Sequence, residues 1–464
     1  MINESTRREL EAILGREYFT TRVEDLVLYA SDGTNRSGFR PEGVARPGSA
    51  EETAAVVRVA RAHRLPVIPR GAGSNLSGGV LPVQGGLVVV MTRLNRVLEI
   101  DEDNLVAVAE PGVVTADFQA AVAQRGLFYP PDPASRDFST LGGNAAENAG
   151  GTRAVKYGVT RDYILGLEVV LGTGELIRTG VRTAKGVVGY DLTRLLVGSE
   201  GTLGVITKLI LRLLPAPEAR ETVVAYFSDL AEAGRTVAAM TRARVVPATL
   251  EFMDRGSINS VEDYLRIGLD RSAGGLLLIE TDGPPDRAAA EAEAAARLCR
   301  ECGAREVRRA ASPAEAEDMW RARRAISPAL YRVASGKSNE DVVVPRTLVP
   351  EMIRRIEEIS KVHRLPIINF GHAGDGNIHV NVMYEAADPV ETARAEAAIR
   401  DVFTAALELG GTISGEHGIG ATKKDFLDLE IGPASLELMK RIKTAFDPDG
   451  IMNPGKIFPS RRTG

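Results

Sequence analysis

The sequence predicts an α+β protein of two principal parts, and three observations carry that expectation. At 464 residues the chain is too long for one ordinary core. Between Val44 and Asn75 it reads as strand, helix, strand and glycine loop. Beyond Leu214 the texture changes, from short β-rich segments set off by Gly and Pro to Ala/Glu/Arg-rich helices.

Taken in order, Ser49 and Glu52 form a capping box for the helix AEETAAVVRVARAHR. LPVIP follows as a buried strand feeding the loop RGAGSNLSGG, and GLVVVM, LVAVAEPGV, LGLEVVLGTGELI and GVITKLILRLL supply further strands. LPAPEARET, with two prolines in three residues, reads as a linker. After it, helices around Asp229 to Arg244 and Pro285 to Glu301 mix with the strands LLLIE and PIINF, an α/β texture. The expected division is 1–215, 216–410 and a C-terminal segment 411–464 that packs back to complete a site.

Composition narrows the function. A formal charge of −5 provides no basic field for nucleic acid or for an anionic membrane. The N-terminus MINESTRREL lacks an apolar signal core, and no apolar run approaches the ~20 residues that span a bilayer, so a cytoplasmic location is expected. The only cysteines, Cys299 and Cys302, lie three apart on an Ala-rich helix. Without a second pair they imply neither a disulfide framework nor a metal cage.

PRGAGSN, Pro69 to Asn75, offers several backbone N–H groups after a strand, the way chains cradle diphosphate oxygens. It is not the dinucleotide fingerprint, because the third glycine required after Gly71 and Gly73 would fall at Leu76. Two later blocks, PPDPASRDFSTLGGNAAENAGG and GSEGTLGVITK, place glycines, small hydroxyls and asparagines where backbone must approach something closely. In this order and spacing the three blocks resemble the flavin-binding domain of the vanillyl-alcohol-oxidase-like flavoproteins. The resemblance implies FAD held by Pro69, Arg70, Gly71, Ala72, Gly73, Ser74, Asn75, Pro133, Thr140, Gly142, Gly143, Asn144, Asn148, Gly150, Gly151, Gly201, Val205 and Ile206. Branches with covalently linked flavin often carry a histidine after the loop glycines. Ser74 stands there in this chain, so noncovalent FAD is expected.

Histidine is scarce, five in all, yet two flank the glycines of NFGHAGDGNIHVN. Those glycines forbid a helix and imply a turn between two strands, and alternation in IHVNV sets His379 and Asn381 on a polar face. From the start of the turn, His372 can swing toward His379. GEHGIG adds Glu416 with His417 beside it. Each histidine alone also fits a hydrogen-bonding role, but three of the five fall within two Gly-rich motifs. Two imidazoles and a carboxylate leave open positions for substrate on a divalent ion.

GHAGDGNIHVN, GEHGIG and FDPDGIMNPGK together resemble the D-2-hydroxy-acid dehydrogenase branch of the same superfamily, which includes D-lactate dehydrogenases, D-2-hydroxyglutarate dehydrogenase and the large glycolate oxidase subunit. The match runs from about Pro41 to Phe458. It implies zinc or a similar divalent ion on His372, His379 and Glu416, His417 as catalytic base, Asn381 against substrate and Asn453 near the flavin.

SPAEAEDMWRARRAISPALYRV opens with a second capping box, Ser312 and Glu315, and Trp320, Arg323 and Ser327 would share one face of the helix that follows. The residues alone fit a solvated basic face or a carboxylate anchor. The resemblance favours the anchor, with Arg323 holding the substrate carboxylate and Ser327 supplying a hydroxyl. Some relatives that act on dicarboxylates carry a lysine six residues before the proline at 345. This chain has Asn339 there, with Lys337 and Arg324 as the nearby cations, which tilts the expectation toward D-lactate or glycolate and away from 2-hydroxyglutarate. A non-redox, ether-forming transferase on the same scaffold is the alternative of a different class. No iron–sulfur cysteine set is present, so electrons would pass to a separate acceptor: an electron-transfer flavoprotein, an iron–sulfur subunit or a quinone. A homodimer or a subunit of a complex is expected, with any approach to a membrane made through that acceptor.

Overall fold

The computed structural model describes residues 2–34, 36 and 38–460. They divide into two compact units. The first is assembled from three stretches, the chain up to Ala149, Val159–Ala216 and Glu416 onward, while the second comprises Gly150–Gly158 and Pro217–Gly415. No helix among the described residues is long and apolar enough to cross a membrane.

In the first unit a four-stranded sheet sets Gly43–Ala45, Leu87–Val90 and Val67–Arg70 parallel, with Phe19–Thr20 antiparallel at its edge. The helix Ala50–Ala62 is stopped at each end by identifiable chemistry. Ser49 Oγ accepts the Glu52 N–H at 3.1 Å, and the chain turns out through Arg64 at φ 50° just ahead of Pro66. The Glu52 carboxylate reaches one residue past the cap, accepting the Gly48 N–H at 2.7 Å. Val56, Val57 and Ala60 on its inner face join Val67, Leu87 and Val89 in one buried cluster, each fully buried valine worth about 1.5–3 kcal/mol. A separate five-stranded antiparallel sheet runs Val97–Asp101, Val106–Ala109, Val205–Arg212, Ile164–Val170, Leu176–Gly180.

The second unit is one seven-stranded antiparallel sheet. Its strands in chain order are β1 (Ala219–Phe227), β2 (Thr249–Asp254), β3 (Gly275–Gly283), β4 (Glu306–Arg309), β5 (Gly336–Val343), β6 (Ile367–His372) and β7 (Asn377–Tyr384). Across the sheet the order is β4-β1-β3-β2-β6-β7-β5. The expected linker is shorter than its sequence suggests. Only the Pro215 to Glu218 stretch lies outside long strands, because the β-branched and aromatic run that follows starts β1 at Ala219. On one face, Ala288, Ala292, Ala295 and Ala296 give the helix α1 (Pro285–Glu301) a flat side that packs on β1 and β3. Cys299 is buried in the same helix, its thiol pushed up to about 12 by burial.

Over the other face lie α2 (Pro313–Arg324) and the short turn of helix Ile326–Ala329, whose Ala322 and Ile326 pack with Met253, Phe370 and Met383. Sequence periodicity places Arg323 and Ser327 on one helix, but α2 ends at Arg324. The break is steric and electrostatic: Pro328 has no N–H for the carbonyl four residues back, which is that of Arg324.

Candidate active site

The stretch NFGHAGDGNIHVN folds as the hairpin of β6 and β7, with Phe370 paired to His379 and His372 to Asn377. Its last turn residue, Gly376, sits at φ 89°, and a Cβ there would overlap the Val344 carbonyl. Because the chain doubles back, two histidines seven apart emerge on the same face. Their Nε2 atoms are 3.3 Å apart, with ring planes near perpendicular, and both residues are buried.

Glu416 directly follows the last residue of the second unit. The ligand atoms of His372, His379 and Glu416 all lie within 4.8 Å of one another. Asp341, the ladder partner of His379, prepares this approach: its Oδ2 accepts the Gly415 N–H at 2.7 Å and its Oδ1 the Ser414 hydroxyl at 3.2 Å. Two imidazole nitrogens and a carboxylate oxygen form a donor set that suits zinc and other divalent ions.

Beside this cluster lies a residue that the sequence reading passed over. Glu251, in the middle of the apolar strand β2, is wholly buried. Its Oε1 lies 2.6 Å from His372 Nδ1, and its Oε2 accepts from Arg323 Nε at 2.7 Å, with Nη2 in ion-pair contact at the same distance. The Arg323 guanidinium also lies over the Phe370 ring at 4.7 Å. Asn381, on the same face, donates its amide to the carbonyls of Ile368 and His379, which leaves a buried Oδ1 with no hydrogen-bond partner among the described residues. Ser327 is placed separately from Arg323 by the helix break, and its Oγ accepts from Lys337 Nζ at 2.8 Å. Burial lowers the Lys337 ammonium to about 8.

In the first unit the glycine loop leaves the strand Val67–Arg70 as expected. Gly73 adopts φ 76° and a Cβ there would overlap the Arg70 guanidinium, while one on Gly71 would overlap Thr140 Oγ1. Thr140 in turn caps the helix Leu141–Glu147, and Asn144 donates to Thr115 at 2.8 Å. Asn148 takes φ 53° at the end of that helix and accepts the Arg161 N–H at 2.9 Å. Val205 and Ile206 begin a central strand of the five-stranded sheet, Pro133 is buried, and Gly201 at φ 69° packs on Pro69. Gly150 and Gly151 belong to the second unit.

This cradle fits an anionic dinucleotide. Arg70 is a buried cation that donates to the Ser31 carbonyl at 2.9 Å, and the buried Asn75 Oδ1 has no partner among the described residues. Asn453 anchors the far end of the chain here, donating to the carbonyls of Gly79 at 2.8 Å and Glu200 at 2.7 Å.

The loop carrying buried His417 is gripped from within the first unit. The Glu200 carboxylate accepts the N–H groups of Ile419 at 2.8 Å and Gly420 at 2.6 Å. Glu147 lies close by, its carboxyl raised well above the usual range by burial and by the Glu200 charge. Neither glutamate stood out in the sequence, since both sit inside blocks whose visible signal was glycine.

A family model described as the C-terminal domain of FAD linked oxidases matches residues 216–457, and an FAD binding domain model matches residues 41–180. The chain belongs to the FAD-linked oxidase family. Among relatives of this family, the glycolate oxidase subunit GlcD of Bacillus subtilis is 43% identical over 99% of this chain and 97% of its own length. A D-lactate dehydrogenase of Anaerostipes hadrus is 37% identical, covering 90% of each chain. The fold of the FAD-linked oxidase also matches that of p-cresol methylhydroxylase, at a TM-score of 0.81 over 100% of this chain and 99% of the other, with 18% identity. The protein is thus an FAD-linked oxidoreductase with the vanillyl-alcohol-oxidase type of fold.

Proposed function

We propose that this chain oxidises a D-2-hydroxy acid, D-lactate or glycolate, to the 2-oxo acid and passes the electrons to an external acceptor. The single observation that carries the reading is the convergence of His372, His379 and Glu416 beside the Arg323–Glu251 pair. That arrangement would offer a site for a divalent ion, together with a guanidinium, to the two oxygen groups that define a 2-hydroxy acid. The names of the relatives, a glycolate oxidase subunit and a D-lactate dehydrogenase, support the same substrate class.

His372, His379 and Glu416 would hold a divalent ion, zinc by its donor preference, and such an ion supplies the Lewis acidity that eases loss of a hydroxyl proton. The Pro69–Asn75 loop and the Thr140–Asn144 start of the helix would hold FAD noncovalently, and FAD would supply the two-electron acceptor. The protein's own side chains do the rest. Arg323 donates through its fork to the substrate carboxylate, and Ser327, in the short helical turn beyond the end of α2, adds a hydroxyl. The Asn381 Oδ1 accepts from the substrate. His417 takes the hydroxyl proton, a role that suits an imidazole because its pKa lies near neutrality. With only two cysteines in the chain, an iron–sulfur centre for onward transfer belongs to a separate subunit, and a second flavoprotein or a quinone would serve equally.

The test is anaerobic mixing of purified yellow protein with D- and L-lactate, glycolate and D-2-hydroxyglutarate while the flavin absorbance is followed. Bleaching by D-lactate or glycolate is the expected result. Retention of the oxidised spectrum with every hydroxy acid would refute the proposal.

A further inference from the structure

The glutamate buried in β2 has no packing reason to be there. Its neighbours Leu250, Phe252 and Met253 are core residues, and an ionised carboxylate among them costs several kcal/mol unless it is paired. The ladder explains its partner: Glu251 is directly opposite His372 across the β2–β6 pair, so both side chains rise on the same face. One oxygen then meets the imidazole and the other meets the arginine delivered from α2.

We infer that Glu251 is the positioning residue shared by the two halves of the substrate site: it sets the tautomer of His372 and the aim of Arg323 with one carboxylate. The inference rests on the reading of Arg323 and His372 given above. An ionised carboxylate only accepts, so the 2.6 Å contact fixes the proton of His372 on Nδ1 and leaves Nε2 with its lone pair. Nε2 is the atom that faces His379. On the other side, Oε2 accepts from Nε and draws Nη2 into ion-pair contact at 2.7 Å, so the edge of the guanidinium that carries Nη1 is turned away from Glu251, where it can serve a planar anion.

Glutamine is nearly isosteric but has one acceptor oxygen where glutamate has two. If its oxygen faces His372, an NH2 group confronts the guanidinium. If the oxygen faces Arg323, the NH2 points at Nδ1 and drives the histidine proton to Nε2. Either way one bridge is lost, whereas aspartate keeps both acceptors on a shorter arm.

The experiment uses the full-length flavoprotein in wild-type, Glu251→Gln, Glu251→Asp and Arg323→Gln forms, each with its flavin content as the measure of folding. Nitrogen NMR of histidine-labelled protein, stripped of metal, reads the tautomer of His372, with a His372→Gln sample for assignment. Zinc affinity is read by competition with a chelator, and KM and kcat with the hydroxy acid that bleaches the flavin. The expected wild-type signal is protonated Nδ1 with unprotonated Nε2. Glu251→Gln should keep its flavin, disturb that signal and weaken zinc about 10–100-fold, the usual effect of removing a carboxylate behind a metal-bound histidine. Glu251→Asp should recover part of the loss. Arg323→Gln should leave the tautomer intact and raise KM.

A wild-type His372 protonated on Nε2 would overturn the inference without any variant. So would a Glu251→Gln protein with an unchanged His372 signal, unchanged zinc affinity and unchanged KM. Wild-type protein that binds no zinc, yet carries the Nδ1 proton, would remove the metal reading of the site while supporting the positioning role.

Discussion

Asp341 and Gly415 are tied by a 2.7 Å hydrogen bond from the Gly415 N–H to Asp341 Oδ2, and the same aspartate stands across the ladder from His379. One buried side chain thus fixes the residue immediately before Glu416 relative to a histidine that shares its cluster. Asp341→Ala leaves the Gly415 N–H and the Ser414 hydroxyl without this acceptor. The expected cost is about 1–3 kcal/mol in denaturant unfolding, with weaker zinc retention and normal flavin content. Unaltered zinc retention in a folded Asp341→Ala protein would mean that Glu416 needs no such guide.

The roles assigned to two histidines separate cleanly. His417→Ala should leave a yellow, zinc-loaded protein whose flavin bleaches at least about 100-fold more slowly with substrate, the scale of a lost general base. His379→Ala should lose zinc and keep FAD. Stopped-flow absorbance and metal analysis of the two variants check both statements, and normal bleaching by the His417 variant would remove it as the base.

Flavin retention has its own probe in the first unit. Gly73 holds φ 76° with the Arg70 guanidinium filling the space of a side chain. Gly73→Ala combines backbone strain of order 1–3 kcal/mol with displacement of a buried cation. The purified variant should be largely colourless, with a lower melting temperature that added FAD restores only in part.

Lys337 offers a test in pH. Burial depresses its ammonium from the ordinary 10.5 to about 8. Between those values the unfolded chain holds a proton that the folded chain has released, so this group makes stability rise with pH across that window. Below about pH 8 both forms are charged and the full cost of burying the charge is present. Lys337→Met should therefore raise the melting temperature at pH 7, and the gain should shrink as pH climbs from 8 toward 10.5. A gain independent of pH would show that Lys337 is not buried as a cation.

Much of the architecture was legible in local pattern. The helix from Pro285 to Glu301 and the cap at Ser49 follow from side-chain chemistry within a few residues, and the glycines of GHAGDGN announce a turn with a histidine on each strand. What was not legible depends on register between distant strands. Glu251 sits in TLEFMD, which reads as a core strand with one stray charge, and its meaning appears only when His372, 121 residues later, is set opposite it. The helix expected to carry both Arg323 and Ser327 stops short of Ser327 for the converse reason. Periodicity extends α2 through Pro328, whereas the missing N–H ends it at Arg324. Glu200 and Glu147 were hidden because the glycines around them carry the pattern.

The first unit begins at the start of the chain but is finished near its other end. Val67, in the strand that launches the glycine loop, donates its N–H to Ile451 and accepts from Asn453, both at 2.8 Å, and Met452 is fully buried in that unit's core. During translation those partners emerge only after all of the second unit has left the ribosome. The nascent first unit must wait, unfinished, through roughly the time needed to make two hundred residues, some tens of seconds at ordinary elongation rates. Ribosome-bound chains halted before residue 451 should accordingly be protease-sensitive in the part before the second unit and unable to take up flavin, and synthesis of the Ile451–Asn453 stretch becomes the step that commits the protein to its cofactor.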